Sequence, residues 1–251
     1  MTVTNSSKAM RIDILPNGPY KVSGCVPLVL INIVLNTDGE AVGWEEMGTL
    51  PQKDIYLLCR CGKSKSLPYC DGAHLAAGFD GTELADKEPF EQGADYIEGE
   101  DIILRDKAEL CMGAGFCHRL GGVWNLTQIT KESSGLSNTV EAAEFVQKAQ
   151  AAATEQACLC PSGRLVMYKS SEDEEFALEP EFEPPSIALI QDTVEGLSSA
   201  LWVRGNIPIF GADGKPYEVR NRVTLCRCGA SNNKPYCDGR HYSIKFSDGL
   251  Q

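Results

Sequence analysis

The stretch C-R-C-G-K-S-K-S-L-P-Y-C-D-G-A-H, from Cys59 to His74, occurs again as C-R-C-G-A-S-N-N-K-P-Y-C-D-G-R-H, from Cys226 to His241. Both copies follow the pattern C-x-C-x2-S-x3-P-x-C-D-G-x-H, so each places three cysteines and one histidine in one short loop. Thiolate and imidazole are the ligands that soft and borderline transition metals prefer. The repeat therefore predicts two metal sites, one near each end of the chain.

The residues between these ligands suit a stiff loop. In C-x-C, two thiolates lie side by side on an extended segment, close enough to bind one metal ion. Pro68 and Pro235 stiffen the approach to the third cysteine, because proline fixes φ and removes a donor. The Asp-Gly pair after that cysteine predicts a tight turn, since glycine tolerates positive φ. Asp71 and Asp238 are also placed to cap a short helix whose first turn carries the histidine.

Both loops resemble the CDGSH (NEET-type) iron–sulfur domains, and the resemblance extends to the strands that flank them. In that family the loop holds a 2Fe-2S cluster, with two cysteines on one iron and the third cysteine and the histidine on the other. Carried over by position, the resemblance implies one such cluster at a first outer site and another at a second outer site. The first outer site is Cys59, Cys61, Cys70 and His74, and the second is Cys226, Cys228, Cys237 and His241.

The second loop departs from the family at the residue before its histidine. The family prefers Ser, Ala or Thr there, so Ala73 fits and Arg240 does not. A nearby cation favours the more negative, reduced state of a cluster. We therefore expect Arg240 to raise the reduction potential of the second outer site above that of the first.

Structural zinc is the alternative occupant of both outer sites, because three cysteines and one histidine also suit tetrahedral Zn²⁺. The C-x-C spacing is tighter than the usual C-x2-4-C spacing of zinc sites, and the resemblance favours iron–sulfur. The visible spectrum separates the two, since an iron–sulfur protein is brown-red and a zinc protein is colourless.

A second motif lies in the middle of the chain, where C-M-G-A-G-F-C from Cys111 to Cys117 is followed further on by C-P-S-G from Cys160. Over residues 95–170 it resembles a single-cluster bacterial ferredoxin, whose middle cysteine is replaced here by Ala114. The resemblance implies a middle site of Cys111, Cys117 and Cys160, and three thiolates suit a 3Fe-4S cluster. Cys158 is the alternative fourth ligand, which would make a 4Fe-4S cluster, although we favour a buried thiol at a helix end.

The surroundings of the middle motif predict how it is built. Residues 141–157 favour a helix that delivers Cys160, and residues 165–169 predict a strand paired with residues 101–105. Gly113 and Gly115 let backbone amides approach the cluster sulfides. Two other residues are assigned away from the sites. His118 is expected at the surface or in a hydrogen bond, and Cys25, in an apolar strand, is expected in the core.

Composition limits the partners. The formal net charge of −12 argues against nucleic acid and against an anionic membrane surface. The longest apolar run, residues 26–35, is too short to span a bilayer, and the chain shows no signal peptide. Eleven cysteines at ligand spacings indicate metal-bound thiolates in a reducing compartment. We expect a cytoplasmic protein with redox partner proteins.

Three blocks divide the chain. Residues 11–80 and 186–248 both alternate short apolar runs with turn residues before a metal loop, which predicts β-hairpins and an internal duplication. The acidic, proline-rich stretch at 171–186, between the middle motif and the second of these blocks, is interpreted as a solvated linker, with an acidic docking segment as the alternative. The predicted domains are an N-terminal CDGSH module (1–85), a ferredoxin-like domain (86–170), an acidic linker (171–185) and a C-terminal CDGSH module (186–251).

The predicted fold class is mixed α+β, with two small β-rich CDGSH modules packed as a pseudo-dimer and flanking a ferredoxin-like α+β domain. Duplicated halves can share the pseudo-two-fold interface that symmetric dimers use. We therefore expect the modules to pair within one chain, which is then a monomer or a homodimer.

The predicted function is electron transfer by two 2Fe-2S clusters and one 3Fe-4S or 4Fe-4S cluster, with cluster or iron transfer as the second role. No nucleophile–base pair or nucleotide fingerprint is legible, so we do not expect an enzyme. Two alternatives belong to other classes: a zinc-binding structural or interaction module, and a redox subunit of an enzyme complex. The latter requires an open iron site and a substrate pocket.

Overall fold

The computed structural model describes residues 9–136, 140–170 and 175–250. Its strands are β1 (Arg11–Ile14), β2 (Tyr20–Ser23), β3 (Leu28–Leu35), β4 (Ala41–Leu50), β5 (Ile55–Leu58), β6 (Asp95–Glu98), β7 (Ile102–Asp106), β8 (Leu165–Ser170), β9 (Glu175–Leu178), β10 (Ser186–Asp192), β11 (Leu197–Arg204), β12 (Ile209–Phe210) and β13 (Arg222–Leu225). Its α-helices are α1 (Ala73–Ala76), α2 (Val123–Thr127), α3 (Val140–Leu159) and α4 (Arg240–Ser243). Short 3₁₀ segments cover Ala108–Leu110 and Phe116–Gly121.

The chain folds into two compact units. The first contains the described residues up to Asn32, Glu45–Glu88 and those from Phe182 onward, and therefore holds both outer loops. The second contains Ile33–Trp44 and Pro89–Glu181, and holds the middle motif. Ile33–Trp44, the far end of the β3–β4 hairpin, thus groups with the middle motif. The domain boundaries drawn from the sequence stay predictions.

The two halves of the first unit exchange strands. One sheet has the order β12-β1-β2-β5, in which β12 of the second half lies parallel to β1 of the first half. The other has the order β13-β11-β10-β3-β4, in which β3 of the first half lies parallel to β10 of the second. Each half therefore completes the sheet of the other. This reciprocal exchange is the pseudo-two-fold pairing that the internal duplication predicts.

One apolar core joins the two exchanged sheets. Every residue of β10 is buried, and so is every residue of β11 except the last. Both faces of these strands are therefore covered, which explains why their sequences do not alternate between apolar and polar residues. The core takes residues from both halves: Ile12, Ile14, Tyr20, Val22, Val26, Leu28, Tyr56, Leu58, Ile187, Leu189, Leu201, Val203, Ile207, Ile209, Tyr217, Val223 and Leu225. Because both halves contribute to it, neither half encloses this core alone.

The second unit is an antiparallel sheet, of order β6-β7-β8-β9, packed against α3 and α2. The predicted pairing of residues 101–105 with 165–169 is confirmed, with Leu104 opposite Met167. The predicted helix is confirmed as α3, which extends to Leu159 and so ends beside Cys160. The prediction of a mixed α+β chain is confirmed.

Two details correct the sequence interpretation. Part of the acidic linker, Glu175–Leu178, is strand β9 and pairs with β8, so it is not a solvated tether; residues 171–174 lie outside the described residues. Cys25 is exposed rather than in the core, because Gly24 and Cys25 both adopt positive φ and turn the chain out of the sheet. None of the helices in the described ranges has the length and apolar character needed to cross a bilayer.

Candidate metal centres

The first outer loop begins where β5 ends. The Cys59 amide donates to the Pro68 carbonyl at 2.8 Å, and the Cys70 amide donates to the Leu57 carbonyl at 2.9 Å. These bonds fold the loop back on its strand and bring its ligands together in two pairs. Cys59 Sγ lies 3.6 Å from Cys61 Sγ. Cys70 Sγ lies 3.4 Å from Nδ1 of His74, the histidine carried by α1.

The second outer loop repeats this geometry after β13. The Cys226 amide donates to the Pro235 carbonyl at 2.8 Å, and the Cys237 amide donates to the Thr224 carbonyl at 2.9 Å. Cys226 Sγ lies 3.7 Å from Cys228 Sγ. Cys237 Sγ lies 3.4 Å from Nδ1 of His241 on α4. Equal spacing in the sequence has produced equal pairs in space.

The Asp-Gly turns are present, with glycine rather than aspartate as the N-cap. Gly72 and Gly239 cap α1 and α4 with φ of 86° and 83°, which only glycine adopts without strain. Asp71 lies one residue earlier and accepts from the amides of Ala73 and Lys65 at 2.9 and 2.8 Å. The aspartate thus ties the helix start to the preceding loop, which fixes the direction of the histidine.

The pair distances fit a tetrahedral metal. Two thiolates at about 2.3 Å from one tetrahedral metal lie roughly 3.8 Å apart, and a thiolate and an imidazole nitrogen about 3.6 Å apart. The observed values of 3.6 and 3.7 Å for the cysteine pairs match the first figure. The value of 3.4 Å for both cysteine–histidine pairs is close to the second. Each pair can therefore hold one metal ion.

The ligands form pairs rather than quartets. A structural zinc site needs four ligands around one ion. A 2Fe-2S cluster instead needs two ligands on each of two irons. The pairing fits the second arrangement.

Burial distinguishes the two outer sites. At the second site all four ligands are buried, and His241 is 1% exposed. At the first site Cys59 and Cys61 are buried, whereas Cys70 and His74 are only half-buried. The additional cover of His241 comes from β11, where Ser199 Oγ lies 2.8 Å from its Nε2. Burial, and then the Arg227 charge, lower the pKa of His241 to about 4.

Burial also opposes ionisation of several ligand thiols. It raises the pKa of Cys61 to about 11 and that of Cys117 to about 11. Cys226 differs from these, since a hydrogen bond from the Cys228 thiol lowers its pKa to about 7. A metal must therefore displace protons when it binds, and its affinity increases with pH.

An arginine follows the first ligand of each loop and is buried at both sites. Arg60 Nε donates to the Gly18 carbonyl at 2.8 Å, and Arg227 Nε donates to the Ser199 carbonyl. Arg227 also forms an ion pair with Asp248 in which the two side chains are 1% and 0% exposed. The sequence analysis missed these arginines, although both motifs read C-R-C and the repeated arginine was the available signal.

Arg240 does not lie against the second site as expected. Its side chain is 50% exposed, and its Nε lies 3.4 Å from Asp238 Oδ2. Solvent and that carboxylate screen its charge, which reduces the increase in potential expected from Arg240. The buried charge at this site belongs to Arg227.

The middle site is a small pocket that contains all three predicted ligands. Cys111, Cys117 and Cys160 line it together with the rest of the 111–117 loop and with residues 161, 162, 164 and 165. Cys158 is not among these residues, and its Sγ donates to the Leu178 carbonyl at 3.3 Å. The side chain of Ala114 offers no ligand at the remaining position. His118 is exposed beside Trp124, as a surface histidine would be.

A largely buried ion pair lies beside the middle pocket. Arg164 lines the pocket and binds Asp106 through two hydrogen bonds of 2.6 and 2.8 Å. Trp124 Nε1 donates to the same carboxylate at 2.8 Å. The Asp106 carboxylate and the Cys111 thiol hold the pKa of Arg164 above its ordinary value. The guanidinium of this ion pair thus lies near the thiols of Cys111 and Cys117.

Comparison with known protein families supports both motif interpretations. A family model described as an iron-binding zinc finger of CDGSH type matches residues 17–75 and 199–242. A second model, described as a divergent 4Fe-4S mono-cluster, matches residues 97–170 between them. No curated protein and no solved structure matches the chain.

Proposed function

We propose that this iron–sulfur protein, in which two CDGSH-type segments flank a divergent 4Fe-4S mono-cluster segment, transfers electrons between partner proteins. The two outer sites hold one 2Fe-2S cluster each, and the middle site holds a third cluster. The clusters supply one-electron chemistry, and the chain binds them, excludes water from them and sets their potentials. The chain is not itself an enzyme in this proposal, and it works in the cytoplasm.

The paired ligands carry the proposal for the outer sites. Both loops present a cysteine pair at 3.6 or 3.7 Å and a cysteine–histidine pair at 3.4 Å, which suits two irons with two ligands each. In every pair with histidine it is Nδ1 that faces the thiol. Nε2 is then free to carry a proton, which Ser199 Oγ, 2.8 Å from Nε2 of His241, can accept at the second site.

The middle site supports a cluster with three protein ligands. Its three cysteines share one pocket, Ala114 stands where a ferredoxin has a fourth cysteine, and Cys158 points elsewhere. We propose a 3Fe-4S cluster in the oxidised protein. The matching family model names a 4Fe-4S cluster, which the same three thiolates hold when a fourth iron occupies the position beside Ala114.

Cluster transfer is the second candidate function, and the exposure of the first outer site favours it. Cys70 and His74 are half-buried, so an acceptor protein can reach the iron that they bind. The corresponding residues of the second outer site are buried. A transferable cluster would therefore leave the first outer site and not the second.

Metal analysis with spectroscopy tests the proposal. Anaerobically purified protein should be brown-red, should contain iron and acid-labile sulfide, and should show the EPR signal of two reduced 2Fe-2S clusters after reduction. The oxidised protein should show the S = 1/2 signal of a 3Fe-4S cluster. A colourless protein with zinc at the outer sites would establish the alternative of a structural zinc module.

A further inference from the structure

The two outer loops touch each other through their glycines. A Cβ on Gly62 would lie 2.5 Å from the carbonyl oxygen of Cys228. A Cβ on Gly229 would lie 2.6 Å from the carbonyl oxygen of Cys61. Each glycine follows the second ligand of its own loop, so each ligand carbonyl lies against the glycine of the other site. The contact is reciprocal, like the strand exchange beneath it.

Only glycine permits this approach. Any side chain at Gly62 or Gly229 would overlap backbone atoms, which cannot rotate away as the end of a side chain can. The two cysteine ligands Cys61 and Cys228 are thereby held next to each other by reciprocal backbone contacts between their loops. They also line one surface cleft of about 370 Å³. The loops thus provide a short route between the two outer sites.

The two ends of this route differ in their access to solvent. The first outer site has two half-buried ligands, Cys70 and His74. The second has none, since the exposed fractions of its ligands do not exceed the 7% of Cys228. A partner protein that docks on the surface can approach the irons of the first site more closely than those of the second.

We propose that the two outer sites form one electron relay, in which partners exchange electrons with the first site and the second site is reached through the Gly62–Gly229 contact. The proposal rests on the electron-transfer function above and adds its direction. A reduced one-electron carrier protein loses one electron to the first site. The first site then passes the electron to the second site, and excess reduced carrier re-reduces the first site, which drives the transfer even where the second site has the lower potential; no bond is made or broken in the chain.

Removal of one site at a time tests the order of the relay. Cys70→Ser/His74→Ala removes both ligands of one iron at the first site but leaves Cys61 and both glycines in place. Cys237→Ser/His241→Ala is the matched change at the second site. Photoreduced flavodoxin serves as the protein electron donor, and dithionite serves as the small-molecule electron donor. Rapid freeze-quench EPR follows each reduced cluster.

The expected result is asymmetric. Without the first cluster, flavodoxin should reduce the second cluster more slowly by roughly an order of magnitude, while dithionite still reduces it completely. Without the second cluster, the first should be reduced at the wild-type rate. If flavodoxin reduces the second cluster equally fast in the wild-type protein and in Cys70→Ser/His74→Ala, the donor reaches that cluster directly through the cleft, and the relay is overturned.

Glycine variants test the contact itself. Gly62→Ala and Gly229→Ala should slow the second phase of reduction and weaken the dipolar EPR coupling between the two reduced clusters. Gly214→Ala is the control, because Gly214 has a similar positive φ of 77° and nothing within 4 Å of its Cβ position. An unchanged coupling in Gly62→Ala, with both clusters present, would overturn the role of the contact.

The relay and the proposed function fail differently. A protein without 2Fe-2S signals would refute the function before any rate is measured. Clusters that are present but reduced independently would refute the relay alone. If Cys111→Ser, which removes a middle-site ligand, slows the second outer site while Cys70→Ser/His74→Ala does not, the middle site is the donor and the relay is wrong.

Discussion

Arg227 and Asp248 form an ion pair that is closed to solvent, and the first outer loop has Gly81 where the second has this aspartate. The matching arginine, Arg60, is equally buried, yet its Nη1 has no hydrogen-bond partner in the described part of the chain. A Cβ on Gly81 would lie 2.1 Å from Arg60 Nη2, so the guanidinium occupies the space of the missing carboxylate. Among the described residues, one outer site therefore has a buried cation that only the exposed Asp80 carboxylate balances from nearby, and the other has a buried, neutralised pair.

The first prediction is that the first outer cluster has the higher potential. A buried cation without a buried counter-charge favours the reduced cluster, and burial of the second site disfavours it. Asp248→Asn removes the counter-charge of Arg227 and should raise the potential of the second cluster by tens of millivolts, on the order expected for one charge in this environment. EPR-monitored redox titration measures both values.

A surface carboxylate provides the control for this titration. Asp213 is half exposed, at 51%, and pairs with Lys87, so Asp213→Asn should leave both potentials unchanged. This order of the two cluster potentials is the reverse of the order expected from the charge of Arg240. A second site with the higher potential, lowered by Arg240→Ala, would restore the original expectation.

The second prediction concerns stability. Burial opposes the charge of Asp248, but Arg227 and the hydrogen bonds from Leu250 and Ser198 outweigh it and hold the pKa of Asp248 below its ordinary value. Asp248→Ala leaves Arg227 buried and unpaired, which should lower the free energy of unfolding by about 3–5 kcal/mol. Because the folded pKa is depressed, this stabilisation is present at neutral pH and is lost as the carboxylate is protonated in acid.

Chemical denaturation of the apoprotein measures this effect, with Asp13→Ala as the control. Asp13 pairs with Arg11 at the surface, where the side chains are 24% and 45% exposed. Loss of that pair should change the free energy of unfolding by no more than about 1 kcal/mol. Equal effects of the two substitutions would contradict the importance of the buried pair.

The third prediction addresses the number of irons in the middle cluster. Ala114→Cys supplies the missing thiolate in the pocket, so it should convert the 3Fe-4S EPR signal of the oxidised protein into a 4Fe-4S cluster that is paramagnetic when reduced. Cys158→Ser should leave the wild-type signal intact, because the Cys158 thiol bonds to the Leu178 carbonyl. Loss of the cluster in Cys158→Ser, with no effect of Ala114→Cys, would make Cys158 the ligand.

The sequence could propose the outer ligand sets because each set lies within one loop, where spacing alone determines which side chains can meet. It could not predict the pairing of β1 with β12 or of β3 with β10, since those contacts join distant segments. For the same reason it missed Ser199 and Asp248 as partners of the second loop. Arg240 shows the opposite case. It is adjacent to His241 in sequence, but its side chain is half exposed to solvent.

The last prediction is that acid removes the first outer cluster before the second. Imidazole binds iron only through a neutral nitrogen, so protons compete with the metal. Burial lowers the pKa of His241 to about 4, below the unfolded value of 6.5, so the neutral ring persists until the pH falls through about 4. His74 is half-buried, so solvent reaches the metal bond that it would form. Loss of visible absorbance against pH should occur in two steps, and Ser199→Ala should move the second step toward higher pH.

His74→Cys should abolish the first step alone, because thiolate replaces the acid-sensitive ligand. A single step that none of these substitutions moves would rule out histidine ligation at both sites.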